Sequence, residues 1–134
     1  MKDHETVVRK IITREEATKM IITENTVKTL VLKLGVSPSN LGYSYIVEAI
    51  KICYEDRTLL RTITKKVYPH LAYTFNTTNT AVERAIRHSI SGAVSHNPCI
   101  FDILGFPPSN NGGITNSQFL GACVEYLTMK EEEE

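Results

Sequence analysis

The sequence predicts an all-α fold built around a helix-turn-helix, and three observations carry that reading. Apolar residues recur at three- and four-residue spacing along most of the 134-residue chain, as a helix with one buried face requires. Gly, Pro and Asn punctuate these runs. No strand pattern competes: even Asn111-Gly112, a hairpin-type dipeptide, has flanks that do not alternate.

Taken in order, residues 5–24 are charged and weakly periodic, and read as a helical or partly ordered leader within residues 1–24. Asn25 or Thr26 is expected to cap a helix that turns Val27, Leu30, Val31 and Leu34 inward and stops at Gly35 and Pro38. A longer helix follows from about Gly42 to Glu55, burying Tyr45, Ile46, Ala49, Ile50 and Cys53. Leu59, Leu60, Ile63 and Val67 mark another, and Pro69 opens the next at a first-turn position. Beyond the helix-turn-helix, Asn97-Pro98 breaks the chain and Ile100–Leu104 suggests a short helix. Residues 107–113 form a flexible loop. Thr115 with Gln118 makes a capping box ahead of Phe119, Cys123, Tyr126 and Leu127. The glutamates of the acidic tail, residues 131–134, oppose that helix's dipole, so its end is expected to fray.

Residues 71–90 carry the functional signal. Leu71, Ala72 and Phe75 give a short first helix one buried face, with Ala72 small enough for a close crossing. Asn76 suits a turn that needs positive φ. Thr77 and Thr78 offer capping hydroxyls to a second helix. At about 100° per residue, Val82, Ala85, Ile86, Ser89, Ile90 and Ala93 fall within roughly 140° of arc. The opposite arc carries Thr80, Glu83, Arg84, Arg87, His88 and Ser91. A lone amphipathic helix usually shows its charged face to water. Here the short preceding helix, the tight turn and an arc with two guanidinium groups and a single carboxylate point instead to a recognition helix for the DNA major groove.

Bulk charge says nothing, since fifteen Lys and Arg balance fifteen Asp and Glu. Its distribution says more. From Arg57 to His96, six basic residues face one acid, Glu83, whereas beyond His96 the only base is Lys130. A basic middle and an acidic end suit a protein that turns one face to phosphates. No stretch approaches the roughly 18 apolar residues of a membrane span. Cys53, Cys99 and Cys123 are far apart and lack zinc-ligand spacing; Cys53 and Cys123 fall on apolar faces and read as buried free thiols in a reducing cytoplasm. The Asn76-Thr77-Thr78 sequon then carries no glycan. His70, His88 and His96 have no catalytic partner at a defensible spacing, and there is no phosphate loop, so no enzyme, metal site or cofactor is expected.

The blocks GYSYIVEAI (42–50), LLRTITKKVYP (59–69), FNTT (75–78), VERAIRH (82–88) and TNSQF (115–119) occur in an order that resembles the C-terminal DNA-binding effector domain of the sporulation response regulator, stage 0 sporulation protein A. The resemblance covers about Thr26 to Leu127. It implies about six helices around the helix-turn-helix within residues 25–130, and a transcription regulator that reads a short promoter box, often as tandem copies. Glu83, Arg84, Arg87 and His88 match the family's recognition helix. Thr78, Thr80, Lys65 and Lys66 lie where DNA-facing or supporting groups are expected. Ala81 stands where the family usually has Arg, and Val94 where it has an aromatic residue. Regulators of this type carry an N-terminal receiver domain, for which the residues before Thr26 leave no room; a stand-alone protein, rather than an excised fragment, is the expectation. The partners implied are double-stranded DNA, a second copy on DNA through the last helix, a full-length homologous regulator and RNA polymerase, in the cytoplasm at the nucleoid. The alternative is a non-enzymatic interaction protein that modulates a full-length homologue by protein contacts.

Overall fold

The computed structural model describes residues 13–110 and 112–133, so the leader ahead of Thr13 and part of the 107–113 loop lie outside the described residues. Helix α1 spans Arg14–Lys33. The Thr13 hydroxyl accepts from the Glu16 N–H at 3.0 Å, and Glu15 and Glu16 oppose the positive helix end. α1 runs unbroken through Asn25 and Thr26, which corrects the expected helix start. Thr13 supplies the cap earlier and no Gly or Pro intervenes, so Asn25 sits inside the helix with its carbonyl accepting from the Thr29 hydroxyl. The expected inward face holds: Val27, Leu30, Val31 and Leu34 are buried. Gly35, at φ +94°, then ends the helix.

Helix α2 spans Leu41–Glu55 and buries the five residues expected of it. The next stretch departs from the sequence reading. In place of one α-helix over Leu59–Val67 there is a 3-10 turn at Arg57–Arg61 and a π-helical turn at Ile63–Val67. The Asp56 carboxylate accepts from both the N–H and the hydroxyl of Thr58, which fixes the tight turn. Leu59 and Leu60 are left half-buried, while Ile63 and Val67 enter the core. Helix α3 spans Tyr68–Thr74, α4 Asn79–His96, α5 Ile100–Leu104 and α6 Asn116–Glu133. Among the described residues these are the six α-helices, and no strand occurs.

Thr115 and Gln118 exchange the two hydrogen bonds of a capping box at the start of α6. At its other end the helix extends to Glu133. Burial, and then a hydrogen bond to Glu131, raise the Tyr54 hydroxyl to about 12, so it stays a donor that ties α6 to α2. The Arg57 guanidinium bonds Glu125 on the same helix.

α2 is the central element and packs against α1, α4 and α6. Its crossing with α4 is unusually close. A Cβ on Gly42 would lie 2.1 Å from the Ser89 Oγ and 2.3 Å from the Ala85 carbonyl oxygen. α4 therefore rests mainly on α2, with α3 as its second support. The expected partners Leu71 and Ile63 are buried in the same core, but Phe75 is 37% exposed, a correction to its expected burial. It forms the C-cap of α3 and meets Tyr45 edge-on, with ring centroids 4.9 Å apart.

Gly42→Ala sets a helix-propensity gain of at most about 1 kcal/mol against a clash with backbone. Overpacking of this kind costs about 1 to 3 kcal/mol or more, so the thermal midpoint should fall rather than rise. A thiol reagent should modify one cysteine in the native protein, exposed Cys99, and all three after unfolding. Burial, and then Asp56, push the Cys53 thiol up to about 11, and burial pushes Cys123 higher still, which removes thiolate as well as access.

Candidate nucleic-acid interface

The turn between α3 and α4 takes the form its residues dictate. Asn76 adopts φ +53°, and the Thr77 N–H bonds back to the Ala72 carbonyl at 2.8 Å. Thr78 caps α4, its hydroxyl accepting from the Ala81 N–H at 3.1 Å. The apolar side of α4 is where the sequence puts it: Val82, Ile86, Ser89, Ile90 and Ala93 are buried.

The polar side emerges from the protein. Thr80, Arg84, Arg87, His88 and Ser91 are exposed, and Glu83 is half-buried at the margin. Arg84, Arg87 and His88 border a groove of about 490 Å³, closed on its other side by Ser39 to Gly42 ahead of and within the first turn of α2. The crossing at Gly42 thus creates the groove as well as the core contact. Arg87 Nε donates to the Glu83 carboxylate at 3.0 Å, one turn apart. That pair occupies Nε and leaves the two terminal nitrogens of the guanidinium available. Arg84 forms no ion pair among the described residues.

Lys65 and Lys66 stand apart from this arc, exposed on the π-helical turn that packs against α3. The structure does not bring them onto the α4 face; it places them on the segment leading into the helix-turn-helix. Ala81 is half-buried in the first turn of α4, and Val94 packs against the core. His70, to which the sequence gives no partner, has Nε2 3.7 Å from the Glu48 carboxylate on α2. No group of three or more His, Cys, Asp and Glu side chains is placed to hold a metal ion among the described residues. No helix among them is long and apolar enough to cross a membrane.

Two residues of this region escape the sequence reading. Gly42 looks like a helix start, and only the crossing shows why it has no side chain. Asn116 looks like the residue after a cap, yet it is buried and bonded to both Tyr68 and Glu83. Its partners lie 48 and 33 residues away, beyond any local pattern.

A family model described as the C-terminal domain of sporulation initiation factor Spo0A matches residues 27–127. The chain belongs to that family, a DNA-binding effector domain of a sporulation regulator. The match begins inside α1 and ends within α6, so it takes in the whole helix-turn-helix and the groove.

Thr78→Ala removes the α4 cap without touching the core. It should lower stability by about 0.5 to 2 kcal/mol in thermal denaturation, with the helical content of the folded state unchanged.

Proposed function

We propose that this chain is a sequence-specific transcription regulator that sets α4 in the major groove of a short promoter box. The observation that carries the proposal is the exposed arc of Thr80, Arg84, Arg87 and His88 on a helix whose other face is locked into the core. A buried back and a polar front let a helix enter a groove as a rigid body. The Arg84 guanidinium, and the terminal nitrogens that Glu83 leaves free on Arg87, suit guanine O6 and N7. The exposed Glu83–Arg87 pair is worth only about 0.3 to 0.5 kcal/mol, so it orients Arg87 without holding it back. Thr78, Lys65 and Lys66 take the neighbouring phosphates, which position the protein but do not read sequence.

The role is that of a regulator rather than an enzyme, acting at the nucleoid in the cytoplasm. Two copies meet chiefly on adjacent boxes, with α6 as the contacting element, and the effect of adjacency is modest because a weak contact acts through local concentration. A full-length homologous regulator or RNA polymerase is the further partner. Residues 25–130 carry the DNA-binding unit, with α1 running without a break from the 1–24 leader into it and α6 running on into the acidic tail, residues 131–134.

Binding to a sporulation-type promoter box and to a scrambled duplex, measured across a salt series, tests the proposal. Arg84→Ala or Arg87→Ala should cost about 1 to 3 kcal/mol on the box and less on scrambled DNA. Lys65→Ala and Lys66→Ala should weaken both duplexes alike and each reduce the salt slope by about 1. Equal losses on both duplexes from the arginine variants would reduce them to phosphate contacts. A folded wild type that ignores the box would leave the alternative, an interaction protein that modulates a homologue by protein contacts.

A further inference from the structure

Asn116 is the first residue of α6 and is buried, with 9% relative exposure. Its Nδ2 donates to the Tyr68 hydroxyl at 3.0 Å and to the Glu83 carbonyl oxygen at 3.2 Å. A carbonyl can only accept, so the amide group must face Glu83 with its nitrogen. One side chain therefore joins the start of α6, the start of α3 and the polar margin of α4. The capping box of Thr115 and Gln118 fixes the backbone from which Asn116 projects.

From this geometry we infer that Asn116 is a positioning residue for base readout, setting the rotation of α4 about its own axis. Glu83 is where that control is exerted. Its carbonyl is held from inside by Asn116, while its carboxylate holds Arg87 from outside. Arg84 follows it directly in the chain. A small rotation of α4 at Glu83 carries both arginines across the groove, and bidentate base contacts tolerate little displacement. Phosphate contacts made by long cationic side chains tolerate more. Loss of Asn116 should thus erode discrimination before it erodes non-specific affinity.

The inference rests on the proposed major-groove reading of α4, and the two can be told apart. Box and scrambled-duplex affinities are measured for the wild type, Asn116→Ala, Asn116→Asp and Tyr68→Phe, each corrected for its active fraction by stoichiometric titration. Asn116→Ala leaves the Glu83 carbonyl within the backbone hydrogen bonding of α4, so this variant is the one expected to fold. The box-to-scrambled ratio should fall about tenfold for Asn116→Ala, the scale of one lost base contact. It should fall at least as far for Asn116→Asp, whose carboxylate cannot donate to a carbonyl. Tyr68→Phe removes only the other acceptor and should keep a ratio within about twofold of wild type, since the bond to Glu83 persists. A lower thermal midpoint or a smaller active fraction with an unchanged ratio would make Asn116 merely structural and overturn the inference. If the wild type itself shows no preference for the box, the major-groove reading falls and the inference falls with it.

Discussion

Helix α2 can lie against α4 only because Gly42 carries no side chain, and the geometry of the polar face follows from that contact. A Cβ on Gly42 would meet the Ser89 side chain and the Ala85 carbonyl oxygen. The Ser89 hydroxyl could turn aside, but the carbonyl is backbone and cannot relax by a change of rotamer, so it limits how α4 can lie against α2. Ser89 and Ala85 are the small residues on the α4 side of the same crossing, one turn apart. Arg84 and His88 precede them directly and emerge at the rim. The residues that bury α4 and those that present its polar face are therefore interleaved, and neither set can shift without the other.

The electrostatics are local. With no net charge on the chain, long-range attraction to DNA is weak, and affinity must come from where the cations stand. They stand on two connected pieces, the π-helical turn with Lys65 and Lys66 and the exposed arc of α4. Acidic residues nearby are already engaged: Glu83 with Arg87, and Glu48 with Lys51 and His70. Glu48, half-buried on α2, lies 3.5 Å from Lys51 and 3.7 Å from His70.

The helix-turn-helix was legible because its signals are local. Asn76 takes positive φ, Thr78 caps, and the apolar side of α4 follows the 3.6-residue period. The start of α1 lies ahead of Asn25 and Thr26 because their cap chemistry falls inside a helix that no Gly or Pro interrupts, whereas the Thr13 hydroxyl accepts the Glu16 N–H at the first turn. Residues 59–67 were misread because periodicity does not distinguish an α-helix from successive 3-10 and π turns when Leu59, Leu60, Ile63 and Val67 fit either. On α4, the exposure of Thr80, Arg84, Arg87 and His88 follows from the helical period, whereas what supports the helix does not. Gly42 and Asn116 act on residues far along the chain, and sequence spacing carries no information about a crossing or a buried amide.

Polar side chains link α1 to α3 by way of α2. Glu24 on α1 lies 3.3 Å from Lys51, which lies 3.5 Å from Glu48, which lies 3.7 Å from His70 on α3. Each pair is partly exposed and contributes little alone, but a network orders its shared members at lower entropic cost than separate pairs. Its member on α1, Glu24, sits in a helix that runs unbroken from Arg14 to Lys33. The first helix of the helix-turn-helix is thereby tied through α2 to a segment outside the motif. α4 is tied separately, by Gly42 to α2 and by Asn116 to α6. The two helices of the motif are thus held by different parts of one core, and their relative angle is set by the whole domain rather than by the short turn between them.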